Sequence, residues 1–437
     1  MFSTVELNST FYRLPRSSTV SGWAEAVPPP SVIVVGGGLI GLTTALALDE
    51  RGADVTVVDR AALGSGAARG NAGFLSPTLM APLAGPGMLG TVARGLLSRD
   101  GPLRVRPRAV PSMTRWSIAL LRAANAERFE AGRAALAALN RDLDGLLADL
   151  TALGVDVTQG GEIVVPFHDV ALAERFRAEL QHMEHFGMSG PGPMLDGEGV
   201  RRVVPALTDH VGAGFVLPGN RAADPRRYVD SVIEVLRARD VTLLEHCSIS
   251  GFEVTGTRVR GIQTDRGTLE ADEVVLAAGA GIRALGRLLG LRLEVVAGQG
   301  YNVALPTTPE LEHPVIVEEV HAVATPFVDR IRLGGTMELA GDAPPFDQHR
   351  VDAILRSMRR FLDLAWEERF DPWAGSRPMS ADGRPLLGRT RRFANVVVAG
   401  GHGMYGLTLA PATGRAVAEL LVDGRASTDL APFDPDR

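Results

Sequence analysis

The chain contains no lysine, and all 45 of its basic residues are arginine. Schiff-base catalysis and lysine-held pyridoxal phosphate are therefore excluded, since both need a lysine amine. GC-rich codon usage explains the bias better than any functional cause. There is one cysteine, Cys247, so no intrachain disulfide and no thiolate metal cluster forms. Its expected strand position makes it a buried, inert thiol, and so few cysteines suit a reducing cytoplasm. No segment approaches the roughly 20 apolar residues of a membrane helix. The apolar run at 32–48 is broken by glycines, and no charged segment followed by an apolar one marks the N-terminus. A net charge of −6, with acids and bases scattered, argues against nucleic acid as a partner. No Ser-His-Asp, paired-carboxylate or metal constellation stands out, and His182 with His185 suits a solvated helix face.

What is present begins at residue 31. A chain of 437 residues is long enough for about two to three domains. Residues 32–59 read as an apolar strand, a G-x-G-x-x-G turn at Gly36, Gly38 and Gly41, a helix, and a second strand ending at Asp59 and Arg60. The first glycine makes the tight turn, the second admits backbone close to a pyrophosphate, and the third lets helix pack on strand. The helix start at Leu39 and Ile40 offers free N–H groups to phosphate. Asp59 stands at the offset from the turn that suits a ribose hydroxyl. This arrangement binds a dinucleotide without separating NAD from FAD. A second apolar strand, 273–277, runs into the small-residue turn of Ala278 and Gly279, where backbone approaches a ligand closely. A third, 395–399, runs into a glycine turn and a further helix, which a simple NAD dehydrogenase would not need.

Between these signals the pattern predicts two helices over 112–153, a strand at 161–166, and helices at 170–188 and 225–239. Asp224 before Pro225 forms the N-cap of the last. Strands are expected at 242–244, 250–254, 259–264, 274–277, 293–304, 315–320 and 332–338. A helix is expected at 349–364, a strand at 396–399, and a closing helix at 412–421. Nucleotide signals at both ends and in the middle imply one discontinuous domain, 31–80, 221–292 and 375–437. A second domain, 81–220 and 293–374, is then inserted into it.

Together, Gly36–Gly41 with Asp59, Asn71–Pro77, Gly334–Glu338, Trp373–Gly388 and Gly401–Gly403 resemble the D-amino-acid dehydrogenase branch of the glycine oxidase/D-amino-acid oxidase superfamily. The resemblance spans roughly 31–425. It implies a mixed α/β (α+β) fold in which a discontinuous Rossmann-like FAD domain carries a substrate domain built on an antiparallel sheet. It also implies FAD as cofactor and a small-molecule amino-acid substrate, most plainly a D-amino acid. A hydride passes from the α-carbon to flavin N5, and the imino acid hydrolyses to a keto acid. Glycine, sarcosine, D-proline or hydroxyproline are alternative substrates. A non-catalytic flavin-binding subunit is the alternative of another class, and an NAD dehydrogenase would be colourless when purified.

On the same resemblance Arg377 binds the substrate carboxylate, which suits a planar two-pronged donor. Asn71, Ala72 and Gly73 lie beside the flavin ring, Gly403, Met404, Gly406, Leu407 and Thr408 wrap its pyrimidine end, and Ile249 meets the adenine. Where the family often has Lys-Gly-Tyr or Arg-Gly-Tyr, this chain has Gln299-Gly300-Tyr301. Tyr301 is a candidate substrate contact or a packed aromatic. His402 and Tyr405 are further catalytic candidates, with His402 better read as a backbone brace. Trp116 with Arg115 lines the pocket or packs in the core. The electron acceptor is a quinone, an electron-transfer protein or dioxygen. The apolar stretch Met80 to Leu89 touches a membrane surface at the inner face of the plasma membrane or lines the site.

Residues 1–29 resemble a fragment of the DUF72 family through Val5–Pro15 and Trp23-Ala24-Glu25, and Pro28–Pro30 separates them from the nucleotide strand. One such unit cannot bury its own apolar face. It is read as a remnant of gene fusion or a misplaced start, with an adopted surface arm as the alternative. Deleting 1–29 and measuring flavin content separates the two.

Overall fold

Three strands far apart in sequence lie side by side at the centre of the protein. In the computed structural model, which describes residues 29–85, 90, 101–157, 160–341 and 345–437, Ser31–Val35 pairs in parallel with Glu273–Leu276 and with Asp54–Val58. Val396–Gly400 extends this sheet in parallel on one side and Thr242–Leu244 on the other. Leu386–Arg389 closes the first edge antiparallel. The central strands read as near-continuous apolar runs because both faces are covered. Helices Leu39–Asp49, Pro225–Arg237 and Gly406–Ala418 pack on one face, and a three-stranded antiparallel meander of Ile249–Thr255, Arg258–Thr264 and Gly267–Glu270 lies over the other. The DUF72-like stretch of residues 1–28 lies outside the described residues, as do 86–89 of the apolar loop.

Two helix starts converge at the end of this sheet. Leu39–Asp49 begins at Gly38 and Gly406–Ala418 begins at Tyr405, neither with a side-chain cap. They cross at Gly414, where a Cβ would stand 2.7 Å from the Thr43 carbonyl oxygen. Thr43 Oγ1 donates to Ala410 O at 3.1 Å across the same crossing. The last helix starts earlier than the expected residue 412. Pro411 lies inside it rather than at its first turn.

The second large sheet is nine-stranded. Phe370–Ser380, Val295–Leu305, Ile331–Leu339, Ala322–Pro326 and Val315–Val317 follow one another antiparallel. Ile163–Phe167, Ala213–Leu217 and Leu195–Asp196 continue it. It is antiparallel apart from two parallel pairings, Val315 with Val164 and Leu103–Val105 with Ile331–Leu339. Helix Gln348–Met358 packs on one face of its centre, and Val170–Gln181 covers its far end.

Several expectations shift here. The region 112–153 holds three helices, Thr114–Ala123, Ala126–Leu139 and Leu143–Ala152, because Asn125 caps the second one through Arg128 N. Strand Phe370–Ser380 was not expected, and it runs through the boundary placed at 374/375. Ser380 still pairs with Val295, so the chain leaves this sheet after Ser380.

Candidate active site

A cavity of about 1410 Å3 runs from the first glycine turn, under the 70–81 segment, to the second sheet. Its nucleotide end is built by backbone. Gly36 holds φ +116, and a Cβ there would lie 2.6 Å from Ala277 O. At Gly38 and at Gly279 a Cβ would meet nothing within 4 Å, so both turns present bare backbone to the cavity. Gly41 is not on the wall, since a Cβ there would lie 1.8 Å from Gly36 O. It closes the helix against the turn, as the third glycine should. Asp59 accepts from Gly37 N at 2.7 Å and from Ala61 N at 2.8 Å. Its carboxylate is thus fixed beside Arg60 on the wall, with lone pairs left for a hydroxyl. Ile249, Cys247, Ala278 and Leu39 with Ile40 line the same end.

The other end is assembled from five segments. Asn71 and Ala72 line it, and Asn71 Oδ1 accepts from Gly73 N at 2.8 Å. Gly73 itself, at φ +89, turns toward Ala223 rather than the cavity. Gly403, Met404, Gly406, Leu407 and Thr408 line the C-terminal turn. Thr408 Oγ1 donates to Phe74 O at 3.0 Å, so this residue also locks the 70–76 segment in place. Gly403 N donates to Pro378 O at 2.8 Å, tying the turn to the strand that carries Arg377.

Arg377 is the one catalytic candidate whose charge meets no opposite charge among the described residues. Its Nη1 donates to Thr336 O at 3.0 Å, and no carboxylate among the described residues pairs with it. Burial holds its pKa down to about 10. Thr336 stands at φ +54, a conformation a β-branched residue rarely adopts. That strain aims its carbonyl at the guanidinium, and its Oγ1 is buried without a partner. Trp373 fills the wall next to it, over Gly70 and Gly375, where a Cβ would lie 2.3 and 1.8 Å from the indole.

The other catalytic candidates have committed side chains. The Tyr301 hydroxyl donates to Glu338 Oε2 at 2.7 Å and accepts from Gln299 Nε2 at 3.0 Å. Glu338 is fully buried and held by Arg106 Nε at 2.6 Å. Tyr301 thus reaches the cavity wall but packs with Val351 and Ile354 behind it, which favours the packed-aromatic reading. Burial and Glu338 both push its phenol up. His402 is buried, with Nε2 3.0 Å from Thr413 Oγ1, and burial drops its pKa to about 3. It is a neutral brace between strand and helix. Tyr405 donates to Ala81 O at 2.9 Å and accepts from Ala81 N at 3.1 Å. It therefore pins the 76–85 loop over the cavity, and burial raises its phenol. Trp116 is core, with Nε1 donating to Met379 O at 2.9 Å.

Sequence reasoning missed three contributors. Asn302 donates to Gly70 O and accepts from the buried Arg332 at 2.7 Å, fixing the loop before Asn71. Glu318 and His321, at the tip of the hairpin between Val315–Val317 and Ala322–Pro326, line the cavity as an ion pair at 3.2 Å. No group of three or more metal-ligating side chains exists among the described residues.

The family model for FAD dependent oxidoreductases called DAO matches residues 31–420. The chain belongs to this family. A model for DUF72, a family of unknown function, matches residues 1–35. Among curated relatives, the D-amino acid dehydrogenase of Rhizorhabdus wittichii is 31% identical over 421 residues, covering 93% of this chain and 99% of that protein. The D-amino acid dehydrogenase of Methylobacterium radiotolerans is 32% identical over 416 residues, covering 92% and 98%. Among solved structures, glycine oxidase from Geobacillus kaustophilus superposes with a TM-score of 0.70 at 21% identity, covering 94% of this chain and 99% of that one. The DAO fold explains the cavity's length, and the cofactor is FAD. The bare backbone at Gly38 and Gly279, the two uncapped helix starts and the fixed Asp59 carboxylate fit its pyrophosphate and ribose.

Proposed function

We propose that the protein oxidises a D-amino acid to its imino acid, which water converts to a keto acid and ammonia. Arg377 carries the reading. A half-buried guanidinium with no anion of its own among the described residues, facing a flavin-sized cavity, is built to receive a carboxylate. When bound, the flavin supplies the two-electron acceptor. The chain supplies position. Arg377 holds the substrate carboxylate in a two-pronged clamp, Thr336 O holds Arg377, and the 76–85 loop pinned by Tyr405 excludes water. The side chains of Tyr301, His402 and Tyr405 are committed to protein partners, so substrate enters with its amine already deprotonated. The curated relatives' names support the D-configuration. The test is anaerobic reduction of the purified yellow protein by D- and L-amino acids. Bleaching by D-amino acids alone is expected, and no bleaching by any amino acid sinks the reading.

For electron delivery, we propose contact with a membrane surface that carries the acceptor. No described helix is long and apolar enough to cross a membrane. Met80, Ala81 and Leu83 line the cavity, so the contact is placed instead on the 107–123 segment. There Val110, Ile118 and Leu121 are 41%, 44% and 53% exposed among the exposed Arg108, Arg115 and Arg122. Residues 101–126 contain no acid. Such a basic, apolar face suits an anionic bilayer. Flotation with phosphatidylglycerol vesicles but not phosphatidylcholine is expected, and its absence removes the surface.

A further inference from the structure

Two acidic groups reach the cavity away from the flavin end, and one of them is poised for a ligand. Glu179 is consumed by the buried Arg133, which also meets Glu130 at 3.7 Å. Glu318 pairs through Oε1 with His321 Nδ1 at 3.2 Å. Its Oε2 has no partner among the described residues. His321 stands at φ +48 in the left-handed conformation, at a hairpin tip whose Glu318 and His321 line the cavity.

The tip lies within a substrate's length of Arg377. Ala322 pairs with Gly335, and a Cβ on Gly335 would lie 3.1 Å from His321 O. Thr336, the next residue along, supplies the carbonyl that holds Arg377. One residue of rise and one strand spacing separate the two points, on the order of 5 to 10 Å. Tyr405, which pins the 76–85 loop, lines the same cavity as Glu318 and Arg133. Leu79, Phe176 and Ile316 line the cavity beside them and offer an apolar path for a methylene stem.

We propose that Glu318 Oε2 receives the end of the substrate side chain and selects D-amino acids whose side chain ends in a cationic nitrogen. This rests on the amino-acid reading above. Arg377 holds the carboxylate, the apolar wall holds the stem, and the carboxylate of Glu318 meets the terminal ammonium or guanidinium. His321 competes for the same carboxylate and is displaced toward the hairpin when such a substrate enters. Among the described residues an acidic side chain finds no unpaired cation beside Glu318, because Arg133 is already paired with Glu179 and Glu130.

The experiment compares kcat/KM for D-lysine and D-norleucine in a dye-coupled assay of the FAD-loaded protein. The wild type is expected to favour D-lysine, and Glu318→Gln to lower the lysine-to-norleucine ratio about tenfold or more, chiefly through KM, as the loss of a charge-assisted bond demands. His321→Asn, a residue type that tolerates the same backbone conformation, is expected to raise the ratio. It serves if Glu318→Gln does not retain FAD. A ratio unmoved by the variants, or a wild type that prefers D-norleucine, overturns the proposal while the amino-acid reading stands. A wild type reduced by no D-amino acid overturns that reading itself.

Discussion

The guanidinium of Arg377 lies directly over the backbone of Gly300. A Cβ at residue 300 would stand 2.5 Å from Arg377 Cζ, so this glycine is the floor on which the substrate clamp rests. Gly300→Ala should push the guanidinium off the Thr336 carbonyl without touching the nucleotide end. KM for the amino acid should rise roughly tenfold, equivalent to about 1.4 kcal/mol, with FAD content unchanged. Unaltered kinetics would show that Arg377 is not the carboxylate site.

Gly38→Val tests the other end. The position has an ordinary φ of −79 and open space around its missing Cβ, so the protein should fold. The branched side chain then fills the cradle meant for pyrophosphate. The expected product is a folded, colourless protein with native far-UV circular dichroism; full flavin retention would place the phosphates elsewhere.

Tyr405→Phe removes both hydrogen bonds to Ala81. Two partly buried backbone groups lose their side-chain partner, at a cost of about 1 kcal/mol, and the melting temperature should drop. The pH profile of kcat should keep its shape, because the hydroxyl serves the loop and not a proton transfer. A lost limb of that profile would return Tyr405 to the chemistry.

His402 gives a pH signature. Its folded pKa, about 3, lies below the ordinary value near 6.5. Below pH 6.5 the unfolded chain binds a proton that the folded one refuses. Stability from this group is therefore complete above pH 6.5 and is lost as pH falls toward 3, by about 1.4 kcal/mol per pH unit. In His402→Asn that part of the acid slope should vanish, as measured by denaturant unfolding between pH 4 and 7. An identical slope in both proteins would mean the imidazole is solvated.

The nucleotide half was legible because its signals are local. Gly36, Gly38 and Gly41 fall within six residues, between two apolar runs. The substrate half was harder. Phe370–Ser380 is rich in proline, glycine and serine, so it reads as a loop, and it becomes a strand only because Val295–Leu305 offers a ladder. The Tyr301 hydroxyl is settled by Glu338 and Arg106, far off in the chain, and no spacing rule announces such a partner. Glu318 is one of two adjacent acids in a short turn, with meaning only once the hairpin tip lines the cavity. Pro411 misled for a physical reason. Proline usually opens a helix, but here tertiary packing on Thr43 carries the helix through it.

The crossing of Leu39–Asp49 with Gly406–Ala418 also sets an order of events during synthesis. One wall of the flavin cavity is made by the first forty residues after Pro30, and the facing wall by residues 403–408 of 437. A nascent chain therefore cannot hold its flavin until nearly the last codon has been read and the tail has cleared the ribosome. A chain terminated before residue 396 lacks that wall and is expected to be colourless, with an exposed sheet edge where Val396–Gly400 should lie.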